Sequence, residues 1–433
     1  MSQLAKAKAF FLPKLRQVMH FLMKQGLAMA GNLLYGLLCV RMLPVPDYAK
    51  FAVLFGYMGS LTVLLDIGVA GTLAPLVGEQ IDNLPLIANY IASIRRIALK
   101  LYLIVAPVAA LIFVLLVQKQ HWGWWIVGQM VGVLLVTAWL ARVSSSYGAV
   151  LILRRDRNHY YLGQMIGSLG SLGFLVVFWL FHAVTIYVGI LLNVAQVLFM
   201  AFFYYRRARY LLKVQGSASL QQEKAIVRLA MPNMPSVIFY AIQGQITLML
   251  ITVFGHGSSV ADVGALSRLS QILVLFNQMN PILVEPFFAK LAVARLKRTY
   301  LLTLAIILVA ASAFTAVAFL FPEIFLWVLG PKYRELRIEV GLVILGSAIR
   351  YVSGFLWVIH SARRFVYWWN NFANILLTLL VQAFFVWKYD LSSVRNVLIL
   401  NIASAIVALI VVLATGLYGF LFGPQKMDEA REV

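Results

Sequence analysis

Four ionisable residues lie inside long apolar runs of the sequence, where a charge without a partner costs several kcal/mol. One is a carboxylate, Asp66, and three are arginines, Arg142, Arg268 and Arg350. A guanidinium stays charged at physiological pH, so each arginine must face a wet cavity or a fixed anion. Because the planar fork of guanidinium donors matches phosphate and carboxylate groups, the arginines favour the passage of an anionic molecule.

The carboxylate of Asp66 leaves two interpretations open. It either holds an arginine in place, with Arg142 at a similar depth as the candidate, or it titrates as part of ion coupling. In the second case the coupling ion is a proton or a sodium ion. The sequence predicts no other cofactor.

Other polar residues recur three or four positions apart, a spacing that places side chains on one face of a helix. Small and amide residues at this spacing also serve helix–helix packing, so a purely structural role stays open for them. Together with the four ionisable residues they form the predicted substrate cavity. Its residues are Arg268, Arg350, Arg142, Asp66, Lys24, Gln271, Gln278, Gln243 and Trp357.

The composition indicates a membrane protein. Of 433 residues, 62% are hydrophobic and 12% are charged, whereas soluble domains carry roughly 25% charged residues. Apolar segments of about 20 residues, the length that crosses a bilayer, recur from end to end. The sequence predicts an all-α, polytopic membrane protein with twelve transmembrane helices. The predicted spans are 22–43, 48–72, 94–117, 124–147, 161–181, 184–204, 234–254, 261–284, 299–321, 339–361, 366–387 and 395–418.

The distribution of positive charge predicts the topology. Most of the 36 lysines and arginines fall in alternate connections and near the two termini, which the positive-inside rule places in the cytoplasm. This distribution explains most of the net charge of +21 without a nucleic-acid partner. The predicted parts are a cytosolic amphipathic segment over 1–21, six-helix bundles over 22–204 and 234–418, a cytosolic linker over 205–233 and a cytosolic tail over 419–433.

Sequence signatures of enzymes are absent. The chain has no nucleophile elbow, no P-loop and no His-Glu-x-x-His motif, so it cannot hydrolyse ATP through a known loop. Cys39 is the single cysteine, which excludes an intrachain disulfide and a cysteine-rich metal site. We therefore expect a protein that is not an enzyme.

The stretch from Arg41 to Thr72 resembles the start of Wzx-type polysaccharide flippases. These belong to the multidrug/oligosaccharidyl-lipid/polysaccharide (MOP) exporter superfamily. The resemblance rests on the turn RMLPVPDYAKFA and on the later LDIG segment that contains Asp66. Ala49 departs from it, since many relatives have glycine there. Further matches are Pro232, Phe254-Gly255, Asp262-Val263-Gly264, Phe321-Pro322 and Leu329-Gly330-Pro331 with Tyr333.

The resemblance implies two six-helix bundles in a V-shaped exporter fold that alternates between inward-open and outward-open states. It further implies a multi-pass protein of the bacterial inner membrane that flips undecaprenyl-pyrophosphate-linked oligosaccharide repeat units for O-antigen or exopolysaccharide synthesis. The implied partners are that lipid-linked substrate and the lipid bilayer, with a polysaccharide polymerase and a chain-length regulator as further candidates.

Two alternatives stay open at this point. A cation-coupled multidrug exporter of the same superfamily should carry several carboxylates within its spans, whereas here only Asp66 lies clearly inside one and Glu285 lies at a helix end. A membrane polysaccharide polymerase or ligase typically places catalytic residues on a large outer loop. No predicted outer connection is long enough for that role.

Overall fold

The computed structural model describes the backbone of residues 3–78, 80–214 and 216–429, and it describes the side chains of residues 23–422 except at positions 79, 215, 282 and 293. Within these ranges the chain is helical and has no strand, which confirms the predicted all-α class. The amphipathic character predicted for 1–21 and most of the tail predicted at 419–433 depend on side chains outside the described residues.

Seventeen α-helices account for most of the described chain. They are α1 (Gln3–Met42), α2 (Val45–Asp66), α3 (Leu73–Val77), α4 (Leu84–Val117), α5 (Trp124–Leu153), α6 (Arg157–Leu180), α7 (Ile186–Leu212), α8 (Leu220–Ala230), α9 (Met234–Gln243), α10 (Ile246–Phe254), α11 (Gly257–Leu283), α12 (Glu285–Lys290), α13 (Val293–Leu320), α14 (Pro322–Leu329), α15 (Arg337–Ala362), α16 (Trp368–Lys388) and α17 (Val394–Glu429). Short 3-10 segments occur at Ala70–Thr72, Gln118–Gln120, Met231–Asn233 and Pro331–Tyr333.

Eleven helical segments in the described part are long and apolar enough to cross a membrane. The helix α1 is not one of them, because its described part carries Lys24, Gln25, Asn32 and Arg41, which lower its hydropathy. Each of the twelve predicted spans nevertheless falls at least in part on a helix. The chain is therefore a multi-pass membrane protein.

The second predicted span, 48–72, is α-helical only as far as Asp66. There Ile67 and Gly68 adopt positive φ angles of 42° and 75°, and a glycine at the second position avoids the steric cost that a side chain would bring. The amide of Val69 donates to the carbonyl oxygen of Asp66 at 2.8 Å. The chain thus turns sharply at the acid and continues through the short 3-10 segment Ala70–Thr72 into α3.

The seventh predicted span, 234–254, is broken between α9 and α10. The amide of Gln245 donates to the carbonyl oxygen of Ile242 at 3.0 Å rather than continuing the α-helical pattern. The hydroxyl of Ser60 donates to the carbonyl oxygen of Ala241 at 2.7 Å. Broken backbone at membrane depth requires such substitute partners, and α2 provides this one.

The helices form two compact units, Met1–Ile246 and Thr247–Val433. In the first unit α2 packs against α4, α5, α7 and α9, and α1 packs on α6. In the second unit α15 packs against α11, α13, α14 and α17. The predicted bundle boundaries, 22–204 and 234–418, stay predictions.

Candidate functional site

A cavity of about 610 Å³ lies in the first unit. Residues of α2, α5, α6 and α7 line it together with the segment that follows Asp66. Its walls are mostly apolar or small, and Asp66 is the one charged residue of the described lining. The uncharged polar lining residues are Thr62, Thr137, Ser144, Ser145 and Asn193, with two tyrosines, Tyr160 and Tyr204.

The carboxylate of Asp66 is half-buried at the end of α2. Its Oδ1 accepts a hydrogen bond of 3.0 Å from the amide of Ala70, and the side chain of Ser145 also hydrogen-bonds it. Both are neutral donors, and no ion pair of the described residues includes Asp66. The acid therefore lines the cavity without a cationic partner among the described residues.

Two stacked tyrosines form part of the cavity wall. The ring centroids of Tyr160 and Tyr204 lie 5.2 Å apart with the planes inclined by 16°, and the hydroxyl of Tyr204 donates to the carbonyl oxygen of Tyr160 at 2.8 Å. Two glycines permit this packing: a Cβ atom at Gly148 would lie 3.0 Å from the Tyr160 ring, and one at Gly163 would lie 2.7 Å from the Tyr204 ring.

One of the two interpretations of Asp66, an ion pair with Arg142, is wrong, because the two side chains do not pair. The guanidinium of Arg142 lies over the ring of Trp139, with its Cζ atom 4.0 Å from the centroid, and its Nη1 donates to the carbonyl oxygen of Arg95 at 3.3 Å. Arg142 does not belong to the cavity lining. Stacking on an aromatic face of its own helix stabilises the cation, and the Nη1 hydrogen bond directs it toward α4, while its buried Nε has no hydrogen-bond partner among the described residues.

Two other predicted residues of the first unit also lie away from the cavity lining. Lys24 donates a hydrogen bond to the side chain of Asn158, which joins α1 to α6. Gln243 is half-buried at the last position of α9, next to the break. Of the predicted residues in this unit, Asp66 alone lines the cavity.

The remaining predicted residues belong to the second unit. Arg350 of α15 is half-buried and donates a hydrogen bond to the side chain of Asn401 on α17. Arg268 of α11 is buried, with 4% of its surface exposed, and α11 packs against α15. Gln271 and Trp357 are half-buried, and Gln278 is exposed. Their role in a substrate passage stays a prediction.

Sequence reasoning missed most of the cavity lining. A usable signal was present on α5, where Thr137, Ala141, Ser144 and Gly148 recur at intervals of three and four positions and therefore share a helix face. Such small residues are also typical of helix packing. The stacked tyrosines gave no periodic signal, since Tyr160 and Tyr204 lie on different helices.

No protein-family model and no curated protein match this sequence. Solved structures of transporters do. An inward-facing multidrug resistance MATE family transporter of the MOP superfamily is 15% identical with a TM-score of 0.63, over 94% of this chain and 96% of that chain. The eukaryotic MATE transporter AtDTX14 is 11% identical with a TM-score of 0.57, over 94% of this chain and 96% of that chain.

A third similar structure is a MOP superfamily transporter from Pyrococcus furiosus, for which the reverse polarity of its binding pocket suggests a different function. It is 15% identical with a TM-score of 0.56, over 93% of this chain and 94% of that chain. At such identities the likeness concerns the fold and not the substrate. The predicted exporter fold is confirmed: this chain has the fold of the MATE transporters of the MOP superfamily.

Proposed function

We propose that this chain is a cation-coupled exporter of amphipathic organic molecules, with Asp66 as the group that binds the coupling cation. One observation carries the proposal: the cavity of the first unit contains a single carboxylate and no cationic side chain in its described lining. A half-buried carboxylate without a cationic partner attracts a cation from solution, because the surrounding low dielectric strengthens the interaction.

The cavity also suits an organic molecule with apolar parts. Its volume of about 610 Å³ lies within the range of roughly 300–1,000 Å³ that is typical of small-molecule pockets. The apolar walls would bury the body of the molecule, and the half-buried ring of Tyr160 adds an aromatic surface to the lining that contains Asp66. One carboxylate can hold a proton, a sodium ion or an organic cation, so binding of one displaces another and couples their movements.

The experiment uses the full-length chain in lipid vesicles under an imposed proton or sodium gradient, with efflux of a fluorescent organic cation as the readout. Asp66→Asn should abolish the efflux that depends on the gradient. Glu323→Gln is the matched control, since Glu323 is largely exposed and pairs with the exposed Arg337. Gradient-dependent efflux at the unchanged rate in Asp66→Asn would contradict the proposal.

The second candidate function is the flipping of undecaprenyl-pyrophosphate-linked oligosaccharide across the bacterial inner membrane, with a polysaccharide polymerase and a chain-length regulator as partners. The motif between Arg41 and Thr72 supports it, as do Arg268 and Arg350 in the second unit, because guanidinium groups bind pyrophosphate well. In this case Arg350→Ala should impair flipping more than Arg350→Lys.

Deletion of the gene separates the two functions. Loss of surface polysaccharide with accumulation of the lipid-linked oligosaccharide on the inner face would support the flippase. Normal surface polysaccharide with raised sensitivity to organic cations would support the exporter.

A further inference from the structure

The exposed side of α8 carries apolar and cationic side chains in one stripe. The stripe contains Leu220, Lys224, Val227 and Arg228 of α8 and Met231 directly after it. Each of them lies three or four positions from another member, which places them on one side of the helix. All five are exposed, and Leu220 and Met231 keep 68% and 64% of their surface accessible. A helix with apolar residues and cations on its accessible face is typical of a segment that lies in the plane of a membrane surface.

The opposite face of α8 is fixed to α4. Glu223 is buried there, with its carboxylate 2.6 Å from the Nζ of Lys100 and 3.5 Å from the Nε of Arg96. Ile226 and Ala230 are buried on the same face. Because this side of the helix is held by an ion cluster and by apolar packing, the orientation of the stripe is fixed as well.

Hydrogen bonds also hold the chain that leads into α8. The hydroxyl of Ser93 on α4 donates to the side chain of Gln222 at 3.0 Å and accepts from the amide of Ser219 at 3.2 Å. The amide of Ser217 donates to the side chain of Asn89 at 2.8 Å. The helix is thus anchored at its start and along one face, and its free face points away from α4.

The charge around α8 determines the kind of partner. Arg96 and Lys100 outnumber Glu223 in the ion cluster. Lys224 and Arg228 add two exposed cations that form no ion pair with a carboxylate of the described residues. The helix α8 follows α7 and is the first part of the segment Leu220–Gln243, which continues through α9 and is long and apolar enough to cross a membrane. We propose that the exposed face of α8 binds the anionic headgroups of a lipid surface, with Lys224 and Arg228 at the phosphates.

The helix α8 also packs close to one wall of the cavity. Ile226 and Ala230 belong to one hydrophobic core with Val69 and Leu73, and Leu73 lines the cavity. The segment that follows Asp66 is therefore one layer of side chains away from the proposed lipid contact. Anchoring of α8 at the membrane surface would hold that wall of the cavity in place.

The test places a fluorophore on α8 of the full-length chain. Cys39 is the single cysteine and is buried, so a bimane attached at Gln221→Cys, beside the stripe, reports this helix alone. The vesicles contain phosphatidylcholine and phosphatidylglycerol, and one of the two lipids carries brominated acyl chains that quench the fluorophore. Brominated phosphatidylglycerol should quench more strongly than brominated phosphatidylcholine at the same mole fraction.

The double variant Lys224→Gln/Arg228→Gln should lose this preference by about 25-fold, since each cation near an anionic surface contributes about five-fold. Lys297→Gln/Arg298→Gln, which removes two exposed cations of α13, is the matched control and should retain it. Equal quenching by the two lipids in the labelled protein that retains Lys224 and Arg228 would overturn the proposal. An equal loss of the preference for phosphatidylglycerol in the control variant would also overturn it, because the preference would then depend only on the net charge of the protein.

Discussion

The hydroxyl of Ser60 donates a hydrogen bond of 2.7 Å to the carbonyl oxygen of Ala241. Ser60 lies buried within α2, and Ala241 lies in the last turn of α9, just before its break from α10. The bond satisfies a carbonyl group that the interrupted helix leaves without its regular partner. The helix α2, which ends at Asp66, therefore also stabilises the backbone at the break between α9 and α10.

Ser60→Ala should destabilise the protein by about 0.5–2 kcal/mol, because the Ala241 carbonyl would lose its partner in an apolar environment. Thermal unfolding in detergent measures this. Thr315→Ala is the control, since the Thr315 hydroxyl bonds only the carbonyl oxygen of Ala311 on its own helix. If both variants lower the unfolding temperature equally, the bond between α2 and α9 has no special role.

Gly163→Ala should destabilise the protein by about 1–3 kcal/mol, because the added Cβ atom collides with Tyr204 and forces the packed rings apart. Gly170→Ala on the same helix meets nothing within 4 Å and should be neutral or stabilising by up to about 1 kcal/mol. The two unfolding temperatures check this. A neutral Gly163→Ala would show that the tyrosine stack yields without cost.

Asp156 lies in the connection between α5 and α6, and the contacts of its carboxylate lead us to expect that the stability of the fold depends on pH. Burial alone would raise the pKa of Asp156, but hydrogen bonds from His159 and Arg207 at 2.6 Å each outweigh it and hold that pKa below its usual range. A carboxylate with a lowered pKa stabilises the fold above its unfolded-state pKa of about 4, and this contribution disappears as the pH falls through the folded-state pKa.

Asp156→Asn should therefore cost about 1–3 kcal/mol at neutral pH, and the difference from the unchanged protein should vanish in acid. Unfolding temperatures measured across the pH range check the expectation. Asp82→Asn is the control, because Asp82 is 92% exposed and its pair with Arg154 should contribute little at any pH. A penalty for Asp156→Asn that persists unchanged in acid would contradict the assignment to a charged carboxylate.

Arg142→Gln should reduce stability by about 0.5–2 kcal/mol, through loss of the contact with Trp139. It should leave transport that depends on Asp66 intact, because the two side chains do not pair. Efflux of the fluorescent organic cation from vesicles under the same ion gradient checks the expectation for transport. Should Arg142→Gln abolish coupling as Asp66→Asn does, Arg142 would act on the carboxylate after all.

The positions of the helices could be predicted from the sequence because bilayer thickness sets the length of an apolar run. The predicted span 339–361, for example, coincides with α15 to within two residues at each end. The break after Gln243 could not be predicted, since no proline marks it and the substitute partner, Ser60, comes from a helix far away in the sequence. Interruptions of this kind depend on tertiary contacts.

The site was predictable in one respect. An acid within an apolar run is visible in a sequence, and Asp66 does line the cavity. The direction of Arg142 was not visible, because a guanidinium can stack on an aromatic residue three positions away as well as pair with a distant carboxylate. Small residues such as Ser145 were ambiguous, since helix packing and cavity walls use the same residue types.

Cation release on substrate binding tests the role of Asp66 most directly. The purified full-length chain in weakly buffered detergent is titrated with a fluorescent organic cation while proton and sodium activities are recorded. We expect release of about one proton or one sodium ion per molecule bound, and no release from Asp66→Asn. Binding of the organic cation with no release of either ion, or with the same release from Asp66→Asn, would contradict this role of Asp66.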